Sequence, residues 1–445
     1  MTTYDELYFG QTDGRREASQ DPDLFVRSFV DRNDAVGKIK SGAKFLLLGP
    51  KGAGKSAVAA YLDRTQDRQK EFVRIRDLSA LPLSEVERVK TGEPGGPGRT
   101  ITAWKLLLLC GLLDLLLEDQ ASPIQSDPDV IAAANELRKL GFLDASPGPA
   151  VMQAVKTTYK LSLPGLGNLY TREKQSAFNL YHVANFLQDR ITKAVATDHR
   201  YILLLDGLDS IYLTDQSYSA VTASLLQAAY ELHEVLQRTE SPHRIVLLLR
   251  NDIFSRLPLS DSSKMRQDLS IDLDWRVLSG NPKKSSLFQL VNRKATALLN
   301  GDEFDVISTF FHKDVQIGGR GGAPKWPNVY QYLLDLTRHT PRDLLRLLEY
   351  IRLTEIDINS DPDPKRKSSK LTNAVIREGA LRYSSTYFVE AIENELVGLN
   401  MDDSLIQRAV TTLRHLRKST FDAATFFKDF SDKTSTQEGR NLTRC

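Results

Sequence analysis

The sequence contains very little cysteine. Its 445 residues include two, Cys110 in an apolar run and Cys445 at the last position. Two isolated cysteines build no disulfide framework, and no cysteine and histidine cluster has the spacing of a zinc site. We therefore predict a buried thiol at Cys110, a core that needs no disulfide or metal to hold it, and a reducing, cytoplasmic location.

The chain also lacks a large net charge of either sign. The 59 lysines and arginines nearly balance the 57 aspartates and glutamates. The total charge therefore gives no support for nucleic acid binding, although a local basic patch stays open. The first residues have neither a basic start nor an apolar stretch, so they predict no signal peptide.

One apolar run, residues 103–117, invites a membrane interpretation. As a helix it would be about 22 Å long, which is short of a hydrocarbon core of about 30 Å. The run also contains Lys105 and Asp114, and charged residues are costly inside a membrane. We predict a buried core helix and no membrane partner.

Short apolar runs alternate with helical patterns in the first two thirds of the chain. The predicted strands cover residues 45–48, 72–75, 201–205, 244–249 and 269–273. Short, fully apolar strands between helices predict an α/β fold with a parallel sheet that is covered on both faces. After residue 285 the strand signals fade and a helical chain is predicted.

This pattern divides the chain into five predicted parts. They are an N-terminal arm (1–28), an ATPase core (29–280) with an insertion at about 99–171, a helical lid (281–358), a C-terminal helical domain (370–432) and a flexible tail (433–445).

The first predicted strand runs into the phosphate-binding pattern G-x-x-x-x-G-K-[ST]. Its glycines let the backbone turn tightly, so that N–H groups converge on phosphate oxygens at the start of a helix. Lys55 would pair with the β- and γ-phosphates, and Ser56 would offer its hydroxyl to Mg²⁺. A chance match is the alternative, but the position between strand and helix argues against it. The predicted nucleotide-binding residues are Gly49, Pro50, Lys51, Gly52, Ala53, Gly54, Lys55, Ser56 and Ala57.

A carboxylate is expected at the end of a neighbouring strand. Asp206 follows five apolar residues, and its side chain would emerge at the carboxyl edge of the sheet, where α/β folds bind ligands. We assign Asp206 to the magnesium shell. Asp209 is the candidate that orients or deprotonates the attacking water; the alternative is that Asp209 caps the following helix.

Together these motifs resemble the STAND and AAA+ group of P-loop ATPases. The Walker B segment, LLLDGLD at residues 203–209, is similar to that of the NACHT subgroup. The resemblance implies ATP and Mg²⁺ as cofactors. A glutamate often follows this segment in the subgroup, whereas Ser210 stands here, which implies tight binding with slow turnover.

The resemblance extends to three arginines. Arg32 lies upstream of the phosphate loop, in a segment that resembles the motif beside the adenine pocket. Arg250 follows the fourth strand and resembles the sensor 1 arginine. Arg342 belongs to the HTPRD segment, which resembles the sensor 2 motif of the lid. An ordinary strand-end arginine and an ordinary capped helix are the alternatives. The motif order is also similar to a family of bacterial P-loop ATPases that are often encoded near mobile or defence genes.

A further arginine bears on assembly. In AAA+ proteins an arginine before the fifth strand reaches the γ-phosphate of the next subunit, and Arg266 has that placement. A surface arginine in a loop is the simpler interpretation.

Three functions remain open from the sequence. The first is an ATP-dependent switch that controls a homo-oligomer or a partner effector, in bacterial defence. The second is a DNA-associated ATPase that resembles origin-binding loaders, and the third is a scaffold that holds nucleotide without hydrolysing it.

Overall fold

The fold is known from a computed structural model. It describes residues 2–78, 97–139, 141–143, 180–195, 198–208, 216–276, 280–299, 302–317, 323–359, 370–397, 403–416 and 422–431.

Five parallel strands form the central sheet, and all five were predicted. They are β1 (Leu46–Gly49), β2 (Glu71–Asp77), β3 (Arg200–Asp206), β4 (His243–Arg250) and β5 (Ser270–Asp272). Their order across the sheet is β2-β3-β4-β1-β5. The parallel α/β class is confirmed, and the order is consistent with a P-loop NTPase core.

Helices cover both faces of the sheet. Along β1, Leu46 and Leu48 enter one hydrophobic cluster, whereas Leu47 enters the cluster on the opposite face. This alternation is the period of two expected for a strand buried on both sides. The helices up to β5 are α1 (Gly14–Gln20), α2 (Pro22–Ser28), α3 (Ala35–Ser41), α4 (Lys55–Arg64), α5 (Pro97–Glu118), α6 (Pro128–Lys139), α7 (Leu180–Lys193), α8 (Gln216–Arg238), α9 (Asn251–Phe254) and α10 (Ser262–Asp268).

The apolar run at residues 103–117 lies inside α5. Among the described residues, the segment Thr100–Glu118 is long and apolar enough to cross a membrane. However, 67% of its most apolar stretch is buried inside the fold. At Gly111 an added Cβ would lie 2.6 Å from Leu203 Cδ2, so α5 packs closely on β3. Cys110 is fully buried, and burial raises the pKa of its thiol to about 12. The helix therefore packs as part of the core, as predicted.

The chain after β5 is mostly helical, with one exception. Two antiparallel bridges, Asp314 to Asn328 and Ile317 to Lys325, interrupt the helices. The later helices are α11 (Ser286–Thr296), α12 (Val306–Phe310), α13 (Val329–Asp335), α14 (Pro341–Asn359), α15 (Asn373–Tyr383), α16 (Val389–Val397), α17 (Asp403–Leu416) and α18 (Ala423–Ser431).

A buried ion pair fixes the N-terminal arm to the rest of the fold. Lys294 Nζ on α11 lies 2.7 Å from Glu17 Oε1 on α1, and both side chains are less than a tenth exposed. The hydroxyl of Tyr8 also donates to Glu17, at 2.8 Å. Charges this deep are tolerated only when they are paired and hydrogen-bonded.

Removing one partner of this pair is expected to be costly. Lys294→Met should lower the free energy of unfolding by about 3–5 kcal/mol, because Glu17 is left charged and buried. The double variant Glu17→Gln, Lys294→Met should recover part of that loss. The control is Lys284→Met, an exposed lysine, which should stay within about 0.5 kcal/mol of the parent. Urea unfolding measures all three; equal losses in the single and double variants would contradict the role of the unpaired charge.

Candidate nucleotide site

The phosphate-binding pattern forms a turn between β1 and α4. Gly52 and Gly54 adopt positive φ angles of 84° and 95°, and the Ala53 amide donates to Pro50 O at 3.2 Å. Glycine adopts this left-handed conformation without steric cost. The turn leads directly into α4 at Lys55, so the amino end of a ten-residue helix points at the loop, as an anion site requires.

Lys55 lies folded back over the loop. Its Nζ donates to Gly49 O at 3.1 Å and to Pro50 O at 3.2 Å, and the residue is 5% exposed. The lysine is thereby held against the backbone that would surround a phosphate group. Ser56 and Ala57 follow in the first turn of α4.

The loop borders a cavity of about 780 Å³. That volume is within the usual range for a small-molecule or cofactor site. The cavity brings together most of the predicted site residues. They are Arg32, Lys51, Gly52, Ala53, Gly54, Lys55, Ser56, Ala57, Asp206, Arg250 and Arg342. Gly49 and Pro50 form the start of the same turn.

Asp206 reaches the cavity from the end of β3, as the sequence predicted. It is 5% exposed, and its Oδ1 accepts the Gly207 amide at 2.8 Å. The parallel register places Asp77, the last residue of β2, directly beside it. Two carboxylates therefore lie together at the carboxyl edge of the sheet.

An arginine from the N-terminal arm binds both carboxylates. Arg15 Nη2 lies 2.5 Å from Asp206 Oδ2, and Arg15 Nη1 lies 2.7 Å from Asp77 Oδ2. Burial disfavours the charged form of Arg15, but the two acids outweigh burial and raise its pKa above the ordinary value. The sequence analysis assigned neither Arg15 nor Asp77 to the site.

The opposite side of the loop carries positive charge. Arg250 ends β4 in register with Gly49, and its guanidinium binds Asp252 at 2.9 and 2.6 Å. Burial lowers the pKa of Lys51; the nearby charges of Arg250 and Arg342 lower it further, and Glu395 opposes only part of this shift. The surroundings of Lys51 disfavour the protonated, positively charged form of its amine. Surroundings of this kind favour the binding of an anion.

Arg342 connects the loop with α14. The helix begins at Pro341, as the HTPRD pattern predicted. The Arg342 amide donates to Gly52 O at 3.4 Å, and its Nε donates to Thr12 O at 2.9 Å. A Cβ at Gly52 would lie 3.0 Å from Arg342 Cβ. The loop, the arm and α14 are therefore in direct contact.

Arg32 lines the cavity and donates hydrogen bonds to residues that follow β5. Its guanidinium donates to Asp274 O at 3.1 and 2.9 Å and to Ser286 Oγ at 2.7 Å, and it lies over the Trp275 ring. The neighbouring Phe29 ring stacks on Tyr61 with centroids 4.0 Å apart. Arg32 thus joins the chain before the loop to the chain after β5 while it lines the cavity.

The structure separates one predicted residue from the cavity and leaves two others undescribed. Arg266 is in α10, outside the residues that line the cavity, with a half-exposed side chain 3.8 Å from Asp272. Asp209 and Ser210 lie outside the described residues. The roles assigned to these positions stay predictions.

The donor set fits a magnesium and nucleotide complex. Ser56 and Asp206 offer the oxygen ligands that Mg²⁺ prefers, and Mg²⁺ is usually bound through one or two carboxylates together with substrate phosphates. No group of three or more His, Cys, Asp or Glu side chains in the described part of the chain could hold a metal by itself.

Comparison with known proteins gives one distant relative. The chain is 21% identical over 344 residues to the putative transposon gamma-delta 80.3 kDa protein of Escherichia coli strain K12. The match covers 75% of this chain and 46% of that protein, so this chain spans less than half of the relative's length. No family model matches the sequence. The result shows distant homology to a transposon-associated protein.

The contact between the loop and α14 predicts unequal effects of two glycine substitutions. Gly52→Val and Gly280→Val both place valine at a positive φ, which costs about 1–2 kcal/mol for an L residue. At Gly52 the new side chain also meets Arg342, whereas nothing lies within 4 Å of a Cβ at Gly280. Gly52→Val should therefore destabilise by at least about 1 kcal/mol more. Urea unfolding without nucleotide measures this difference, and equal losses would show that α14 does not rest on the loop.

Proposed function

We propose that the protein is an ATP-binding and ATP-hydrolysing switch of the STAND and AAA+ type. The observation that carries the proposal is the convergence of the phosphate loop, Asp206 and Arg342 on one cavity. Each belongs to a different element, so ligand binding there would bridge the sheet and α14.

Each residue of the cavity has a distinct task in this proposal. The loop amides and Lys55 bind the phosphates, and Ser56 and Asp206 hold Mg²⁺, which when bound neutralises charge that develops on the transferred phosphoryl group. Arg250 and Arg342 contact the terminal phosphate. Asp209 orients the attacking water, and Ser210 in the place of a glutamate makes turnover slow.

The contacts of Arg342 support a switch. Its helix rests on Gly52 through the backbone, and its side chain reaches the N-terminal arm at Thr12. A terminal phosphate that draws in this guanidinium would change both contacts. ATP and its hydrolysis products would then favour different positions of α14, and the readout would be assembly of copies or release of an effector. In an assembly, Arg266 is the arginine offered to the neighbouring copy.

Three substitutions separate binding from hydrolysis. Lys55→Ala should weaken ATP binding at least about tenfold, because it removes a charged phosphate contact. Asp206→Asn should still bind ATP in EDTA and should lose Mg²⁺-dependent turnover by about 100-fold or more. Asp209→Asn should bind Mg²⁺ and ATP normally and lose turnover.

These variants are measured with a fluorescent ATP analogue and by release of inorganic phosphate over a range of protein concentrations. Asp189→Asn is the control, since this acid lies on the exposed side of α7 in an ion pair with Lys193. Unchanged ATP binding in Lys55→Ala would overturn the assignment of the loop. Binding without any turnover in the parent would favour a nucleotide-bound scaffold.

A DNA-associated ATPase is the second candidate, and the name of the distant relative favours it. A second cavity of about 640 Å³ lies in the helical region and is lined by Lys283, His312, Lys313 and Lys370. Lys283 pairs with Asp305, whereas Lys313 and Lys325 are exposed on the two sides of the antiparallel bridges.

DNA binding through this region should depend on salt and on those two lysines. Lys313→Glu with Lys325→Glu should weaken binding of duplex DNA at low salt by about tenfold or more, because both phosphate contacts become repulsive. Electrophoretic mobility at 50 and 200 mM salt measures the effect, and Lys139→Glu, an exposed lysine of α6, is the control. Unchanged mobility of DNA with the parent protein would remove this candidate.

A further inference from the structure

Arg15 contacts Oδ2 of Asp206, the carboxylate oxygen that a magnesium ion would use as a ligand. Its Nη2 is 2.5 Å from Asp206 Oδ2, and the Asp206 side chain is 8% exposed. The other oxygen, Oδ1, already accepts the Gly207 amide. A divalent cation and a guanidinium repel each other at short distance, so a Mg²⁺ ion bound to Asp206 would weaken the ion pair between Asp206 and Arg15.

The position of Arg15 is set by packing on both of its sides. At Gly14 an added Cβ would lie 2.9 Å from Ala57 Cβ, so the start of α1 lies against the first turn of α4. Asp13 caps α1 through the amides of Arg15 and Arg16. The preceding backbone carries two acceptors for α14: Thr12 O binds Arg342, and Gly10 O binds Arg346 at 2.7 Å.

The arm therefore lies between the phosphate-loop helix and α14. A displacement of Arg15 from Asp206 would be transmitted to a segment that both helices contact. Asp77 is the second acceptor of Arg15, and its side chain is half-exposed. It therefore holds the Arg15 guanidinium in place at a position that water can reach.

We propose that Arg15 is a positioning residue that competes with Mg²⁺ for Asp206, so that the arrival of Mg²⁺ with nucleotide releases the N-terminal arm from the sheet edge. The inference rests on the proposed ATP-binding function. It assigns to the arm the task of keeping Asp206 neutralised and correctly placed until the metal replaces the guanidinium.

The test is the Mg²⁺ dependence of nucleotide binding in the 445-residue chain. A fluorescent ATP analogue is titrated with Mg²⁺ in the parent, Arg15→Ala, Arg15→Lys and Arg16→Ala. In Arg15→Ala the half-saturating Mg²⁺ concentration should fall about tenfold, the size expected when one charge-assisted pair no longer competes. Lysine lacks the planar fork and should give an intermediate value. Arg16 is exposed on the same turn and should behave as the parent.

Asp77→Asn provides a second route if Arg15→Ala folds poorly. This exposed substitution removes one anchor of Arg15 and leaves Asp206 unchanged, so the half-saturating Mg²⁺ concentration should fall in the same direction by a smaller factor.

The outcomes distinguish this inference from the proposed function. Identical Mg²⁺ curves in the parent and the Arg15 variants would overturn the competition while leaving ATP binding intact. A higher Mg²⁺ requirement in Arg15→Ala would also overturn it, because Arg15 would then be a phosphate contact. Absence of ATP binding by the parent protein would overturn the proposed function and the inference together.

Discussion

Parallel main-chain pairing determines which side chains meet above the sheet. The hydrogen-bonded register aligns Gly49 with Arg250 and Asp77 with Asp206. Because every strand runs in the same direction, all these residues come to one edge. A shift by one residue would turn Asp206 away from the cavity. The apolar residues that fill both faces of the strands therefore determine the site as firmly as the polar residues that line it.

The glycine turn adds a second constraint. Gly52 and Gly54 turn the chain so closely that α14 can approach the backbone, and Gly52 meets both Thr340 and Arg342. A larger residue would separate the loop from the helical region. The same lack of side chains that lets amides reach an anion thus also places the helix that carries Arg342. The loop and the start of α14 are therefore held in contact by the absence of a side chain at Gly52.

Sequence patterns predicted the sheet well, because β1, β3 and β4 contain continuous apolar runs, and they located those residues of the cavity that local spacing marks. The loop, Asp206 and the start of α14 belong to that class. Arg15 could not be found in this way, since its contact with Asp206 depends on how a separate arm packs. Asp77 was missed because Arg74 and Arg76 interrupt the apolar pattern of β2, and the predicted strand ended two residues before Asp77. The bridges near Asp314 and Ile317 escaped because single pairs leave no alternating run.

The charges around the loop are separated in space. Asp77 and Asp206 lie together at the ends of β2 and β3, whereas Lys51, Arg250 and Arg342 surround the loop. A simple anion would be attracted to the basic residues and repelled by the acidic pair. A simple cation would experience the reverse. A phosphate chain with a bound divalent cation complements both groups, because each charge of the ligand meets its opposite. In its absence the acids need another cation, and Arg15 is the residue of the arm that meets that need. The arm is therefore part of the electrostatic design of the cavity, and its position depends on which cation neutralises the sheet edge.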